Sequence, residues 1–220
     1  MTWKVGALKK VRILAGVPWI VALACSVGLA ASLSELHRVK IRFAEISHHS
    51  FHDHAEVRRF IIAAKLAAAE RPIVVFGDSI TEMADLPATL CGRAVINAGI
   101  GGMTTLEATS AAAHLFKARP PYLIALAFGA NDVGNPALQR SYSELARAAK
   151  TLTERVVSIS DTPDAATELA IARAAKDAGL PHVAPSIPTG LKMRDGIHFT
   201  PAAYQIWLPA LEDEIVQQCA

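Results

Sequence analysis

Pro72-Ile73-Val74-Val75-Phe76-Gly77-Asp78-Ser79-Ile80-Thr81 decides the fold of this chain. The apolar run 73–76, bounded by a proline and a glycine, reads as a strand buried on both faces of a parallel sheet. Gly77 permits a sharp turn, and Thr81-Glu82 with the apolar residues after it read as a helix start. Ser79 then stands between a buried strand and a helix N-terminus, where unpaired backbone N–H groups favour negative charge. A nucleophile whose attack creates an oxyanion is well placed there. A polar turn with Asp78 or Ser79 as a helix cap explains the same tripeptide, so the rest of the chain must decide.

Outward from this stretch, strands and helices alternate. Residues 94–97, 122–128 and 156–159 read as further strands, and 182–184 as a weak fifth. Helical patterns cover the stretch from Thr104 to Lys117, then 141–155, 164–179 and 201–218, and an Ala-rich helix over 55–70 leads into the first strand. This alternation predicts an α/β fold with right-handed crossovers. The expected form is a three-layer αβα flavodoxin-like sandwich with a five-stranded parallel sheet.

Three consecutive strands end in unusual loops: Gly77-Asp78-Ser79, Asn97-Ala98-Gly99-Ile100-Gly101-Gly102, and Gly129-Ala130-Asn131-Asp132. In an open parallel sheet the carboxyl ends of the strands form the ligand crevice. A hydroxyl, a side-chain amide and a glycine backbone that a ligand can approach closely therefore converge. Near the C-terminus stands Arg194-Asp195-Gly196-Ile197-His198-Phe199-Thr200. Its spacing lets the Asp195 carboxylate orient the His198 imidazole, which can then take the proton of Ser79.

These four blocks resemble those of the SGNH hydrolases, also called GDSL-type esterases and lipases, in the same order and over about residues 72–204. The resemblance implies Ser79 as nucleophile, His198 as base and Asp195 as acid. It implies an oxyanion hole from the N–H groups of Ser79 and Gly102 and the amide of Asn131. Ile80 stands where many members carry Leu, and Met103 where some carry Asp. The implied reaction is hydrolysis of an acyl ester, an acylated glycan among the candidate substrates, with no metal or cofactor. An extracytoplasmic O-acyltransferase acting on a glycan would use the same residues. An α/β-hydrolase is disfavoured, because Ser79 lacks the following glycine of a nucleophile elbow. The short connection from the fourth strand to His198 leaves no insertion for an apolar lid, which points to small acyl groups, acetyl first.

The N-terminal segment reads differently. Lys4, Lys9, Lys10 and Arg12 precede an uncharged run over 13–34, long enough at about 1.5 Å per residue to span a bilayer core. The expected domains are a cytoplasmic flank and transmembrane anchor (1–34), a juxtamembrane stalk and leading helix (35–70), and the hydrolase domain (71–220). The basic flank places that domain outside the cytoplasm. A cleaved signal peptide ending near Ala30-Ala31-Ser32 is the rival reading, and would make the protein secreted. Net charge is +2 over 220 residues. The first 54 residues carry a balance of +4 and the rest −2. The basic excess thus belongs to the membrane flank, and nothing points to nucleic acid. His48, His49, His52 and His54 cluster in the stalk, with His48 and His52 at metal-ligand spacing. A solvated stalk explains them as well, because nothing completes a ligand set. Cys91 and Cys219 either pair in an oxidising compartment or stay as two buried thiols.

Overall fold

The computed structural model describes residues 5–47, 53–162, 164–193 and 195–219. The chain divides into two units, Met1–His52 and Asp53–Ala220. In the first, α1 runs from Val5 to Ser47. Its 23-residue stretch Trp19–Ile41 contains an 18-residue window with a mean hydropathy of 1.7. That makes it long and apolar enough to cross a membrane. His48 to His52 lie outside the described residues, and with them most of the histidine cluster.

The second unit is an α/β sandwich. Among the described residues its sheet has six strands, β1 (Ile73–Gly77), β2 (Thr89–Leu90), β3 (Arg93–Gly99), β4 (Leu123–Ala127), β5 (Val156–Ile159) and β6 (His182–Val183), in the order β2-β3-β1-β4-β5-β6. The five longer-range partners β3, β1, β4, β5 and β6 are parallel, the expected flavodoxin-like order. The sixth strand, β2, is a two-residue antiparallel edge on β3. It is too short and too polar to carry a period-2 signal.

Strand alternation feeds two cores. Val74 and Phe76 enter one, and Ile73 and Val75 the other, all fully buried. The first core is closed by α2 (His54–Ala68), α4 (Thr105–Phe116), α5 (Leu138–Lys150) and α6 (Ala165–Asp177). On α5 the buried positions Leu138, Tyr142, Leu145, Ala146 and Ala149 follow the helical period. Phe76 meets Phe116 and Phe128 edge-on, with centroids 5.2 and 5.0 Å away. The second core is covered by α7 (Pro201–Gln217), which buries Ala203, Trp207, Leu211 and Ile215 at steps of four.

The leading helix α2, grouped with the stalk on sequence grounds, packs Ile62 and Leu66 into the first core of this unit. Cys91 and Cys219 form a disulfide with Cα atoms 6.3 Å apart, which ties the β2–β3 turn to the end of α7. In the parallel register Gly77 lies level with Gly99 and with Ala127. The three strand-end loops therefore leave the sheet at one height.

Candidate active site

Ser79 is the first residue of α3 (Ser79–Glu82), a single turn capped by Asp78, whose Oδ1 accepts from the Ile80 N–H at 2.9 Å. Gly77 is required here, since a Cβ would strike Thr81 Oγ1 and the Ala127 carbonyl. That close approach folds the chain back on the sheet and leaves the Ser79 hydroxyl at the strand end.

His198 arrives from the far end of the chain. Its loop, between the 3-10 turn Thr189–Leu191 and α7, is held by a bridge between Lys192 and Phe199 and by Met193 N–H on the His198 carbonyl at 2.8 Å. Gly196, at φ +72°, makes the turn that a side chain would strain. Asp195 Oδ1 accepts from the N–H groups of Ile197 (2.9 Å) and His198 (3.0 Å). Its Oδ2 lies 2.7 Å from His198 Nδ1. His198 Nε2 lies 2.9 Å from Ser79 Oγ. The hydrogen bond from His198, with those from the two backbone N–H groups, holds the Asp195 carboxyl down at about 2. An ionised Asp195 fixes the proton on Nδ1 and leaves Nε2 free to accept from Ser79.

The remaining sequence-predicted residues gather beside this line. The Ser79 N–H is the first of α3 and has no helical partner. Gly102 is solvent-exposed, with φ +76°. Asn131, also exposed, donates through Nδ2 to Asp78 Oδ2 at 3.3 Å and to the Met103 carbonyl at 3.2 Å. Both bonds are long, so an incoming oxyanion would compete with weak partners. The amide thus sits between the neighbours of Ser79 and of Gly102. Asp132, next to it, is buried and takes the Thr105 N–H (3.0 Å) and hydroxyl (3.1 Å), fixing the β4 loop to the start of α4.

Sequence reasoning missed three groups. Asp161, after β5, is buried against Asp78, and its place after an apolar strand was the available signal. Glu82, Arg58 and His54 form a hydrogen-bonded cluster against the Gly101–Gly102 loop, with Arg58 and Glu82 as an ion pair. Two clefts flank the His198 loop. One, of about 590 Å³, is an apolar groove lined by Met83, Met193, Phe199, Tyr204 and Leu208. The other, of about 420 Å³, is lined by Ala130, Val133, Thr162, Lys192 and Ile197. The groove was not foreseen, because α7 supplies much of its wall.

No family model matches the chain, and no curated protein matches it. Solved structures do. A putative acylhydrolase from Bacteroides fragilis aligns at TM-score 0.56 and 18% identity, over 76% of this chain and 99% of its own. A GDSL-like lipase from Bacteroides thetaiotaomicron aligns at 0.53 and 19%, over 74% and 98%. The fold is that of the SGNH hydrolases. A variant of an acetyl xylan esterase from Geobacillus stearothermophilus adds a third likeness, at TM-score 0.51 and 14% identity over 67% and 95%. On this SGNH fold the four blocks of the chain occupy the ends of β1, β3 and β4 and the loop before α7.

Proposed function

We propose that this chain is a serine esterase that hydrolyses small acyl esters, acetyl esters first among them. The observation that carries the reading is the relay Asp195–His198–Ser79, with steps of 2.7 and 2.9 Å. His198 Nε2 takes the Ser79 proton as Oγ bonds to the ester carbonyl carbon. The oxyanion is held by the N–H groups of Ser79 and Gly102 and by the Asn131 amide. His198 then protonates the leaving alcohol, and the carbon–oxygen bond to it breaks. Water, deprotonated by His198, attacks the acyl-enzyme and releases the acid.

The acetyl preference is supported by the acetyl xylan esterase among the structural likenesses. A two-domain esterase active on acetylated mannans also aligns, at TM-score 0.56 and 19% identity, over 74% of this chain and 53% of its own. The apolar groove beside Met83 favours a second reading, in which a longer acyl chain gains about 0.8 kcal/mol per buried methylene. The test is kcat/KM across p-nitrophenyl acetate, butyrate, octanoate and palmitate. A fall with length is expected, and a rise to octanoate would establish the groove as an acyl site. Adding a glycan acceptor to the assay separates hydrolysis from acyl transfer.

We place the hydrolase unit outside the cytoplasm, anchored by α1. The basic residues before the apolar run and the Cys91–Cys219 disulfide both support this. Carbonate-washed membranes should retain the protein. A mature form starting near Ala31 or Ser32 would show cleavage instead.

A further inference from the structure

Glu82 closes α3, three residues after Ser79, and its side chain is only 18% exposed. Its Oε2 accepts the Gly101 N–H at 2.7 Å and lies 2.8 Å from His54 Nε2. Its Oε1 lies 3.2 Å from Arg58 Nε. Arg58, 15% exposed, also grips the end of β3, donating to the Gly99 carbonyl through Nε (2.9 Å) and Nη2 (2.8 Å). Asn97 completes the attachment: its Nδ2 donates to the Thr81 carbonyl at 2.7 Å, and its Oδ1 accepts the Gly99 N–H at 3.0 Å.

His54 and Arg58 stand four apart on α2, so they project from one face of that helix. Neither belongs to the four sequence blocks. The peptide that carries the Gly102 N–H is the one joining Gly101 to Gly102. Two consecutive glycines leave its orientation unrestrained by side chains. A charge-assisted bond on the Gly101 N–H restrains one side of it. Asn131 on the Met103 carbonyl restrains the other. The Arg58 cation has a second effect. A bare carboxylate behind this loop would oppose an oxyanion forming in front of it, and Arg58 offsets that charge.

We propose that α2 is part of the catalytic apparatus: Glu82, held by Arg58 and His54, is the positioning residue that sets the Gly101–Gly102 peptide so that the Gly102 N–H meets the oxyanion formed at Ser79. This rests on the esterase reading above. Glu82 acts through Gly102, not on the substrate. A misplacement of about 1 Å in such a group costs on the order of 10²-fold, and outright loss of one donor about 10²–10³.

The test uses the full chain in detergent with Glu82→Ala, Glu82→Gln, Arg58→Ala and Arg58→Lys. Glu82→Ala should lower kcat by about 10- to 100-fold with KM changed by less than about threefold. Affinity for a trifluoromethyl ketone, which mimics the tetrahedral oxyanion, should fall by the same factor as kcat. Glu82→Gln, whose amide oxygen still accepts the Gly101 N–H, and Arg58→Lys should regain most of the loss. Amide exchange at residues 100–103 should quicken in Glu82→Ala while the strands stay protected. Unchanged kcat, or a loss that only follows the folded fraction with ketone affinity intact, would overturn the proposal. A Ser79→Ala control separates the two readings: wild-type and Ser79→Ala turnover that are equal would sink the esterase reading. Exchange at residues 100–103 then decides for Glu82, and no change there would overturn its positioning role.

Discussion

Asp78 and Asp161 put two carboxyl groups in one buried place beside Ser79. Asp78 is fully buried and accepts from Ile80 N–H and Asn131 Nδ2. Neither oxygen of Asp161 has a donor in hydrogen-bonding geometry among the described residues, although the Asp78 carboxyl and the Ala130 N–H lie close enough to act on it. The titratable groups around the pair are Asp132, His198 and Lys192, with the phenols of Tyr142 and Tyr204 beyond. Burial lifts Asp78 to about 6 from the ordinary 3.8, and burial with the charge of Asp78 lifts Asp161 as well. The pair is best served by a shared proton. The folded protein therefore binds protons more tightly than the unfolded chain from roughly pH 4 upward, through about 6 for Asp78 and beyond that for Asp161, so stability falls as pH rises through that window. Two units of displacement correspond to about 3 kcal/mol, a large share of a total of about 5–15 kcal/mol. Asp195, Asp164 and Glu168, all held below their ordinary values, contribute in the opposite sense and mask the slope in the wild type. Asp161→Asn isolates it, because the amide donates to Asp78 and leaves one charge. Urea denaturation at pH 4.5 and pH 8 should show the variant gaining on wild type by roughly 2–3 kcal/mol at the higher pH. A difference that is equal at both pH values, within about 0.5 kcal/mol, would refute the shared proton.

Three further outcomes are expected. Asn131→Ala should lower kcat by about 10²–10³ with little change in KM, as loss of one oxyanion donor does; normal kcat would leave Asn131 a structural residue. Replacing Cys91 and Cys219 with Ser opens a loop with a sequence separation of 128 and should cost at most about 5 kcal/mol, read as a lower urea midpoint; an unchanged midpoint would show that the cross-link constrains nothing. Phe76→Ala, which empties a site packed between two phenylalanines, should cost about 3–5 kcal/mol, and a loss under 1 kcal/mol would mean that the site collapses around the gap.

The parallel core was legible because β1 and β4 are unbroken apolar runs buried on both faces, and that pattern has few other readings. The Asp195–His198 pairing was legible because the two stand three positions apart across a glycine turn, whereas the Ser79–His198 contact joins residues 119 positions apart. Other features were hidden for physical reasons. The edge strand Thr89–Leu90 is two residues long and gains its pairing from β3. Asp161 reads as an ordinary strand-end acid until burial puts it against Asp78. Arg58 and Glu82 are 24 positions apart, and no local period links a cation on α2 to a carboxylate on α3. The apolar groove depends on one face of α7 meeting Met83 and Met193, which no single stretch reveals.

One experiment bears on the proposed nucleophile itself: reaction of the full chain with a fluorophosphonate, followed by mass spectrometry of its peptides and by ester turnover in Ser79→Ala. A single label on the peptide containing Ser79, none on the variant, and a loss of turnover of about 10³-fold or more are expected. A label on another residue, or undiminished turnover without the Ser79 hydroxyl, would contradict the assignment of Ser79, His198 and Asp195 as the reacting groups.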